Sequence, residues 1–185
     1  MLKILQIVFW SYIMKTTDKL KRKISLFLIN HFFSTTKFFA LKRYLFKIAN
    51  IKVGKETKVV GPFYCGTEVK IEIGSNCWIG KNFKVEGNGK IIIGNNCDFA
   101  PSVMVITGSH KIGNNKRRAG EGTIESIIIE EGCWIGARCT LLGTIVVHKM
   151  SIIGAMSFVN KNIVENSVVA GVPCKVIKYI NVEDQ

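Results

Sequence analysis

Aliphatic residues recur at every sixth position: Val53 and Val59, then Ile73, Ile79 and Val85, Ile93, and Ile129, Ile135, Leu141, Val147, Ile153 and Val159. A glycine directly follows at Gly54, Gly74, Gly80, Gly94, Gly136 and Gly154, and the residue four places after the aliphatic is usually small. Six residues make one short strand and a corner. Three such units close a triangular coil of about 18 residues, and coils stack at the ~4.8 Å spacing of paired strands. The aliphatic then points into the prism and the small residue takes a second, tighter inward position. The glycine is expected at the corner, where a Cβ hinders a tight turn. The pattern predicts an all-β chain built as a parallel β-helix.

The register slips in an informative way. Val53, Ile73 and Ile93 stand 20 residues apart, which puts two extra residues at one corner of each early coil, within Gly66–Ile71 and Glu86–Ile91, whereas Ile129 to Val147 is a step of 18. Between the two blocks the period breaks at Gly108-Ser-His-Lys-Ile-Gly-Asn-Asn-Lys-Arg-Arg-Ala-Gly-Glu-Gly122. That polar, basic stretch reads as a loop excursion over residues 108–124, and loops on rigid scaffolds tend to carry function. The organisation expected is a helical segment at 1–50, the β-helix at 51–180 and a tail at 181–185.

Charge changes the picture at the N-terminus. Of a formal net charge of +13, about +9 falls in the first fifty residues, where Asp18 stands against Lys3, Lys15, Lys19, Lys21, Arg22, Lys23, Lys37, Lys42, Arg43 and Lys47. Residues 4–14 are apolar but too short to span a bilayer, and no small-residue cleavage site follows them, so they do not read as a signal peptide. Helices here are expected to cap the open end of the prism. The aromatics Phe9, Trp10, Tyr12, Phe27, Phe32, Phe33, Phe38 and Phe39, interleaved with lysines, also suit peripheral association with anionic lipid. No nucleic-acid recognition motif accompanies the charge, so nucleic acid is not an expected partner. Cys77, Cys97, Cys133 and Cys139 occupy the small inward slot and Cys65 an aliphatic one. Without a C-x-x-C pair they read as core fillers in a reducing, cytoplasmic protein, and no metal is expected.

Three histidines are present: His31 lies among the helical aromatics and His148 at an outward corner, while His110 stands where the regular coil ends and the basic excursion begins. Three stretches around it carry a resemblance that covers residues 51–180. They are Ile93-Gly-Asn-Asn-Cys-Asp-Phe-Ala-Pro-Ser-Val-Met-Val-Ile-Thr-Gly-Ser-His110, Ile129-Glu-Glu-Gly-Cys-Trp-Ile-Gly-Ala137 and Val169-Ala-Gly-Val-Pro-Cys-Lys-Val-Ile-Lys178. Together they resemble the left-handed β-helix, hexapeptide-repeat acyltransferases, most closely the galactoside and maltose O-acetyltransferases and their relatives acting on capsule and O-antigen polysaccharides. The left-handed sense is implied by that resemblance alone, because the periodicity does not reveal it.

The resemblance implies transfer of an acetyl group from acetyl-CoA to a sugar hydroxyl. His110 would be the general base, since a neutral imidazole suits that task near pH 7. Backbone N–H groups, with that of Ala137 the nearest match, would hold the oxyanion. It also implies a homotrimer with a cofactor groove between subunits, matched here by Trp134, Gly136, Ala137, Gly154, Ala155, Asn160, Lys161, Lys175 and Lys178. Asp98, Glu121, Glu125 or a backbone carbonyl would orient His110.

Departures from the family pattern bear on the acceptor. The stretch that presents the sugar reads Lys84-Val-Glu-Gly-Asn-Gly-Lys90, and Lys111 follows the histidine where that group has proline. Asn88, Asp98, Lys111, Arg117 and Arg118 are the candidate acceptor-binding residues, and their charge suits an anionic glycan or a lipid-linked sugar at the inner membrane face. N-acetylation of an amino sugar, a zinc hydratase on the same fold and a non-catalytic scaffold binding membrane or acidic polymer are the rival readings.

Overall fold

The computed structural model describes residues 2–181, with side chains from residue 16 onward; the expected tail residues 182–185 and the side chains of Phe9, Trp10 and Tyr12 lie outside it. Two helices, α1 (Leu2–His31) and α2 (Phe39–Ile48), precede a left-handed parallel β-helix of about six turns. The first face of the prism carries strands 52–53, 70–73, 90–93, 126–129 and 145–147. The second carries 58–59, 78–79, 98–99, 134–135, 152–153 and 167–171, and the third 63–65, 83–86, 104–106, 140–142 and 158–159. Strands within a face are parallel until 174–179 folds back antiparallel along 167–171.

Pairing reproduces the slip in the sequence. Lys52 lies opposite Glu72 and Glu72 opposite Ile92, steps of 20, while Ile128 lies opposite Val146, a step of 18. The wider coils hold larger side chains. One inward column of the third face runs Phe63, Phe83, Val103, Cys139, Ser157 from the first coil to the fifth, and all five are buried. Phe63 stacks on Phe83 with centroids 5.4 Å apart, and Phe46 of α2 continues the ladder downward at 5.1 Å from Phe63. Cys139 thus belongs to this tapering column, whereas Cys77, Cys97 and Cys133 share the small-residue column of the second face with Thr57 and Ser151.

The repeated glycines are needed for a reason other than the turn. A Cβ on Gly74 would sit 2.5 Å from the Gly94 carbonyl oxygen, and one on Gly136 2.5 Å from the Ala155 nitrogen. Each glycine therefore clears the backbone of the next coil. The left-handed conformation falls two places later, on Asn76, Asn82, Asn96, Arg138 and Met156, with φ between 54 and 61°. Asparagine visits that region at low cost. Arg138 and Met156 do so because the surrounding coil dictates the corner.

The helices close the first coil, where an open β-edge leaves backbone groups without strand partners. The Arg22 guanidinium donates to the Thr67 carbonyl (3.3 Å) and the Val69 carbonyl (3.0 Å), and Arg43 donates to that of Thr57 (3.2 Å). The Asn30 amide both donates to the Phe63 carbonyl and accepts from its N–H. Part of the N-terminal positive charge is therefore spent on capping carbonyls. Lys42 is buried with them; its ammonium donates to the Thr35 carbonyl at 2.7 Å and lies 4.4 Å from the Phe39 ring centroid.

Candidate active site

The excursion is an antiparallel ribbon, Gly108–Ile112 against Ala119–Ile124, that leaves the prism at the corner between the third and first faces. Its turn is closed by the Gly113 N–H donating to the Arg118 carbonyl (2.7 Å) and by the Asn114 side-chain oxygen accepting from the N–H groups of Lys116 and Arg117. Gly-Asn-Asn is an ordinary turn signal. The flanking residues lack apolar alternation, which is why the segment reads as a loop in sequence.

The base of the ribbon is rigid. Thr107 is fully buried; its hydroxyl donates to the Glu86 carbonyl (2.9 Å) and accepts from the Gly89 N–H (3.1 Å), while its own carbonyl accepts from the Glu125 N–H (3.0 Å). A Cβ on Gly89 would fall 2.0 Å from the Glu125 carbonyl oxygen, so only glycine admits this junction. The Glu125 carboxylate accepts from the Thr144 hydroxyl at 2.5 Å and the Thr123 hydroxyl at 2.8 Å, bonds that hold it below the usual carboxylate range.

His110 lies on the ribbon with its Nδ1 2.9 Å from the Gly120 carbonyl oxygen. A carbonyl can only accept, so Nδ1 carries the proton and Nε2 presents its lone pair outward. The carboxylates expected to orient it are otherwise engaged. Glu121 pairs with Lys111 at 2.6 Å, Glu125 is held by the two threonines, and Asp98 sits on the second face between Trp78 and Trp134, a full face away. Register puts Ile124 on the same side of the ribbon as His110, with Ile112 beyond a bulge. Both isoleucines are uncovered, Ile112 at 91% and Ile124 at 74% exposure. An imidazole flanked by bare isoleucines suits a surface that a second body covers.

Asn88 lies at the corner the ribbon leaves from, one coil earlier; His110 and Lys111 are neighbours on the ribbon but point to opposite sides of it, and Arg117 and Arg118 lie at its tip. Asp98 does not join them within one chain. The candidate cofactor residues lie elsewhere. Gly136–Ala137, Gly154–Ala155 and Ala170–Gly171 stack along the corner between the second and third faces, and Trp134 points outward beside them, 56% exposed. Ala137 accepts the Met156 N–H at 2.8 Å, while its own N–H has no partner among the described residues. Gly136 is fixed by coil stacking, so its smallness alone says nothing about a ligand. Lys175 and Lys178 are exposed on the returning strand opposite Ala170 and Val168, and Asn160 and Lys161 occupy the ribbon's corner in the fifth coil. His110 and Ala137 are thus separated by the width of the third face, on the order of 15 Å for a run of about five extended residues.

Sequence reasoning missed Thr107, Gly120, Ile112 and Ile124. The signal for the first was a polar residue on the inward side of the chain just before the period breaks; for the isoleucines it was their isolation in a charged loop. The His31 Nδ1–H donates locally to the Phe27 carbonyl at 3.0 Å, and His148 faces Glu130 at 3.3 Å. Among the described residues no three His, Cys, Asp or Glu side chains are placed to hold a metal. The core thiols are buried and hydrogen-bonded to backbone. Bonding to Cys97 and burial push Cys77 up, and burial does the same for Cys139, so neither is an available nucleophile. A cavity of about 700 Å³ lies well away from His110, between α2 and the first coil, lined by Arg43, Tyr44, Lys47 and Lys52 among others.

No family model matches the chain. It is 36% identical over 123 residues to a putative acetyltransferase of Saccharomyces cerevisiae, covering 66% of this chain and 63% of that protein. It is 34% identical over 133 residues to the galactoside O-acetyltransferase of Escherichia coli, covering 72% and 66%. The match spans just under two thirds of the length of these curated relatives. Among solved structures, a maltose O-acetyltransferase from Clostridium difficile superposes with a TM-score of 0.77 at 26% identity over 91% of this chain and 89% of that one. A hexapeptide-repeat acetyltransferase of Vibrio cholerae complexed with acetyl-CoA gives a TM-score of 0.76 at 23% identity, covering 90% and 88%.

Proposed function

The chain belongs to the hexapeptide-repeat acetyltransferases, in the group of the galactoside and maltose O-acetyltransferases, and from that membership we propose that it transfers the acetyl group of acetyl-CoA to a glycan hydroxyl. The observation that carries the reading is His110, whose Nδ1–H is committed to the Gly120 carbonyl and whose Nε2 is left as an outward base on a rigidly rooted ribbon. Nε2 takes the hydroxyl proton as the sugar oxygen bonds to the thioester carbonyl carbon. The tetrahedral oxyanion accepts from the free N–H of Ala137, and its collapse breaks the C–S bond. The thiolate leaves with the proton carried by His110, so the enzyme is restored without a covalent intermediate.

Bringing His110 to Ala137 requires a second copy of the chain, because within one prism they occupy different corners. A homotrimer in which the ribbon of one subunit, with Ile112 and Ile124, covers the third face of the next meets that requirement and hides the exposed apolar surface. In it the pantetheine arm runs along the Ala137 and Ala155 corner past Trp134, and the CoA phosphates meet Lys161, Lys175 and Lys178. Lys111, Lys116, Arg117 and Arg118 surround the acceptor side. Their charge favours an anionic glycan or a diphosphate-linked sugar over a neutral free sugar.

The test is release of free CoA thiol from acetyl-CoA with panels of neutral sugars, amino sugars and anionic glycans, comparing the native chain with His110→Ala. Acceptor-dependent release that falls by about 10²–10⁴-fold in the variant is expected for loss of a general base. Release that survives the substitution overturns the role of His110, and release only with amino sugars replaces the hydroxyl by an amine.

A further inference from the structure

We propose that the outer surface of the helix pair is a platform that seats the protein on an anionic lipid surface. In α1 the side packed on the prism is Arg22, Ser25 and Ile29, and the opposite side presents Leu20, Ile24 and Phe27 at 58, 52 and 53% exposure. In α2 the packed side is Lys42, Leu45 and Phe46, and Leu41, Tyr44 and Ile48 face outward. Phe32 and Phe38, 65 and 58% exposed, continue the surface through the connection between the helices. Of the aromatics expected to serve this purpose, Phe33 and Phe39 instead turn partly inward, against Phe38 and Trp78.

The charge around this surface selects its occupant. Lys21, Lys23, Lys37 and Lys47 are exposed at its margins, and Asp18 is the one acid of the first fifty residues. A second copy placed face to face would bring two strongly basic segments together, whereas anionic headgroups complement them. α1 is 30 residues long, about 45 Å by its rise, and the ion pair Lys19–Glu68 marks where it meets the prism edge. The half of α1 before Lys19 carries the apolar run of residues 4–14, which contains no acid. Among the described residues no helix is long and apolar enough to cross a membrane, so the helix would lie in the interface. The ribbon and its basic tip are rooted two coils away, so this inference does not depend on the acyl-transfer reading.

The experiment is flotation of the full chain with vesicles of phosphatidylcholine alone and of phosphatidylcholine with about one third phosphatidylglycerol. Both are repeated with Ile24→Glu/Phe27→Glu and with Lys21→Glu/Lys23→Glu/Lys37→Glu, after circular dichroism confirms that each variant is folded. The native chain is expected to float with the anionic vesicles. Each variant should lose at least about tenfold in partitioning, and high salt should weaken the native chain likewise. Three results overturn the proposal: a native chain that stays with the soluble fraction, variants that float as well as the native chain, or, without lipid, a larger native assembly that Ile24→Glu/Phe27→Glu dissociates. The last would make a second copy the occupant.

Discussion

The first three coils and the last three are the same motif at two sizes. Early coils step by 20 residues, enclose Phe63, Phe83 and Phe99, and are closed by helices whose Arg22, Asn30 and Arg43 satisfy the open backbone edge. Later coils step by 18 and then by 16, narrow the Phe63–Phe83 column to Cys139 and Ser157, and end under an antiparallel strand. Coil perimeter therefore sets side-chain size, because interiors pack at crystal-like density and tolerate neither void nor excess. The ribbon bearing His110 leaves at the junction between the two sizes. The narrow coils above it supply the small-residue corner, and the wide coils below supply the cap.

Exchanging sizes is the strongest way to break this comparison. Phe83→Ala leaves a cavity between Phe63 and Phe99, and is expected to cost about 3–5 kcal/mol. In the opposite direction Cys139→Phe, in the same column of a narrow coil, should cost at least about 1–3 kcal/mol by overpacking. Chemical denaturation of both variants checks this. If Cys139→Phe is neutral, the later coils are not constrained by perimeter.

Gly136→Ala gives the next largest effect. A Cβ there would lie 2.5 Å from the Ala155 nitrogen and 2.7 Å from the Ile153 carbonyl oxygen, both backbone atoms that cannot swing aside. A loss of about 1–3 kcal/mol is expected. Gly143→Ala adds a Cβ with nothing within 4 Å, at φ +100°. Its cost is backbone strain alone, about 1 kcal/mol. Melting curves that rank the two in the reverse order would show that corner glycines serve conformation before clearance.

Thr107→Val keeps the shape of the ribbon's root but removes the hydroxyl shared by the Glu86 carbonyl and the Gly89 N–H. The Glu86 carbonyl keeps the Thr107 backbone N–H at 2.8 Å, so the orphaned group is the Gly89 N–H, and leaving it unpaired should cost about 1–3 kcal/mol. Because His110 rides on that root, kcat for acetyl transfer should fall while KM for acetyl-CoA is unchanged. A fall in stability with unaltered kcat would make Thr107 a structural residue only.

These contrasts also explain what the chain discloses before folding. The period of six is legible because every inward position obeys it, and the 20-residue step because the two extra residues are counted directly. The cause of the glycines is not, since a turn and a close approach demand the same residue, and only the position of Asn76, Asn96 and Arg138 at positive φ separates them. His110 stands out because it is the one histidine at a break in the period. Its partner could not be read, because the Gly120 carbonyl belongs to the backbone and carries no side-chain signature. Nor could the separation of His110 from Ala137, which depends on which corner each coil turns at.

Lys42 offers the smallest and most specific test of the capped end. Burial lowers its pKa from the ordinary 10.5 to about 8, with the Thr35 carbonyl as its hydrogen-bond partner. Between those values the unfolded chain binds more protons at this site than the folded one. Stability from Lys42 therefore rises as pH climbs from about 8 to 10.5, and below about 8 the cost of the buried charge is fully present. Lys42→Met keeps the aliphatic stem and removes the titration. Urea unfolding of both proteins across this range should show the native chain gaining on the variant as pH rises, and parallel curves would mean that water reaches the ammonium beneath the helices.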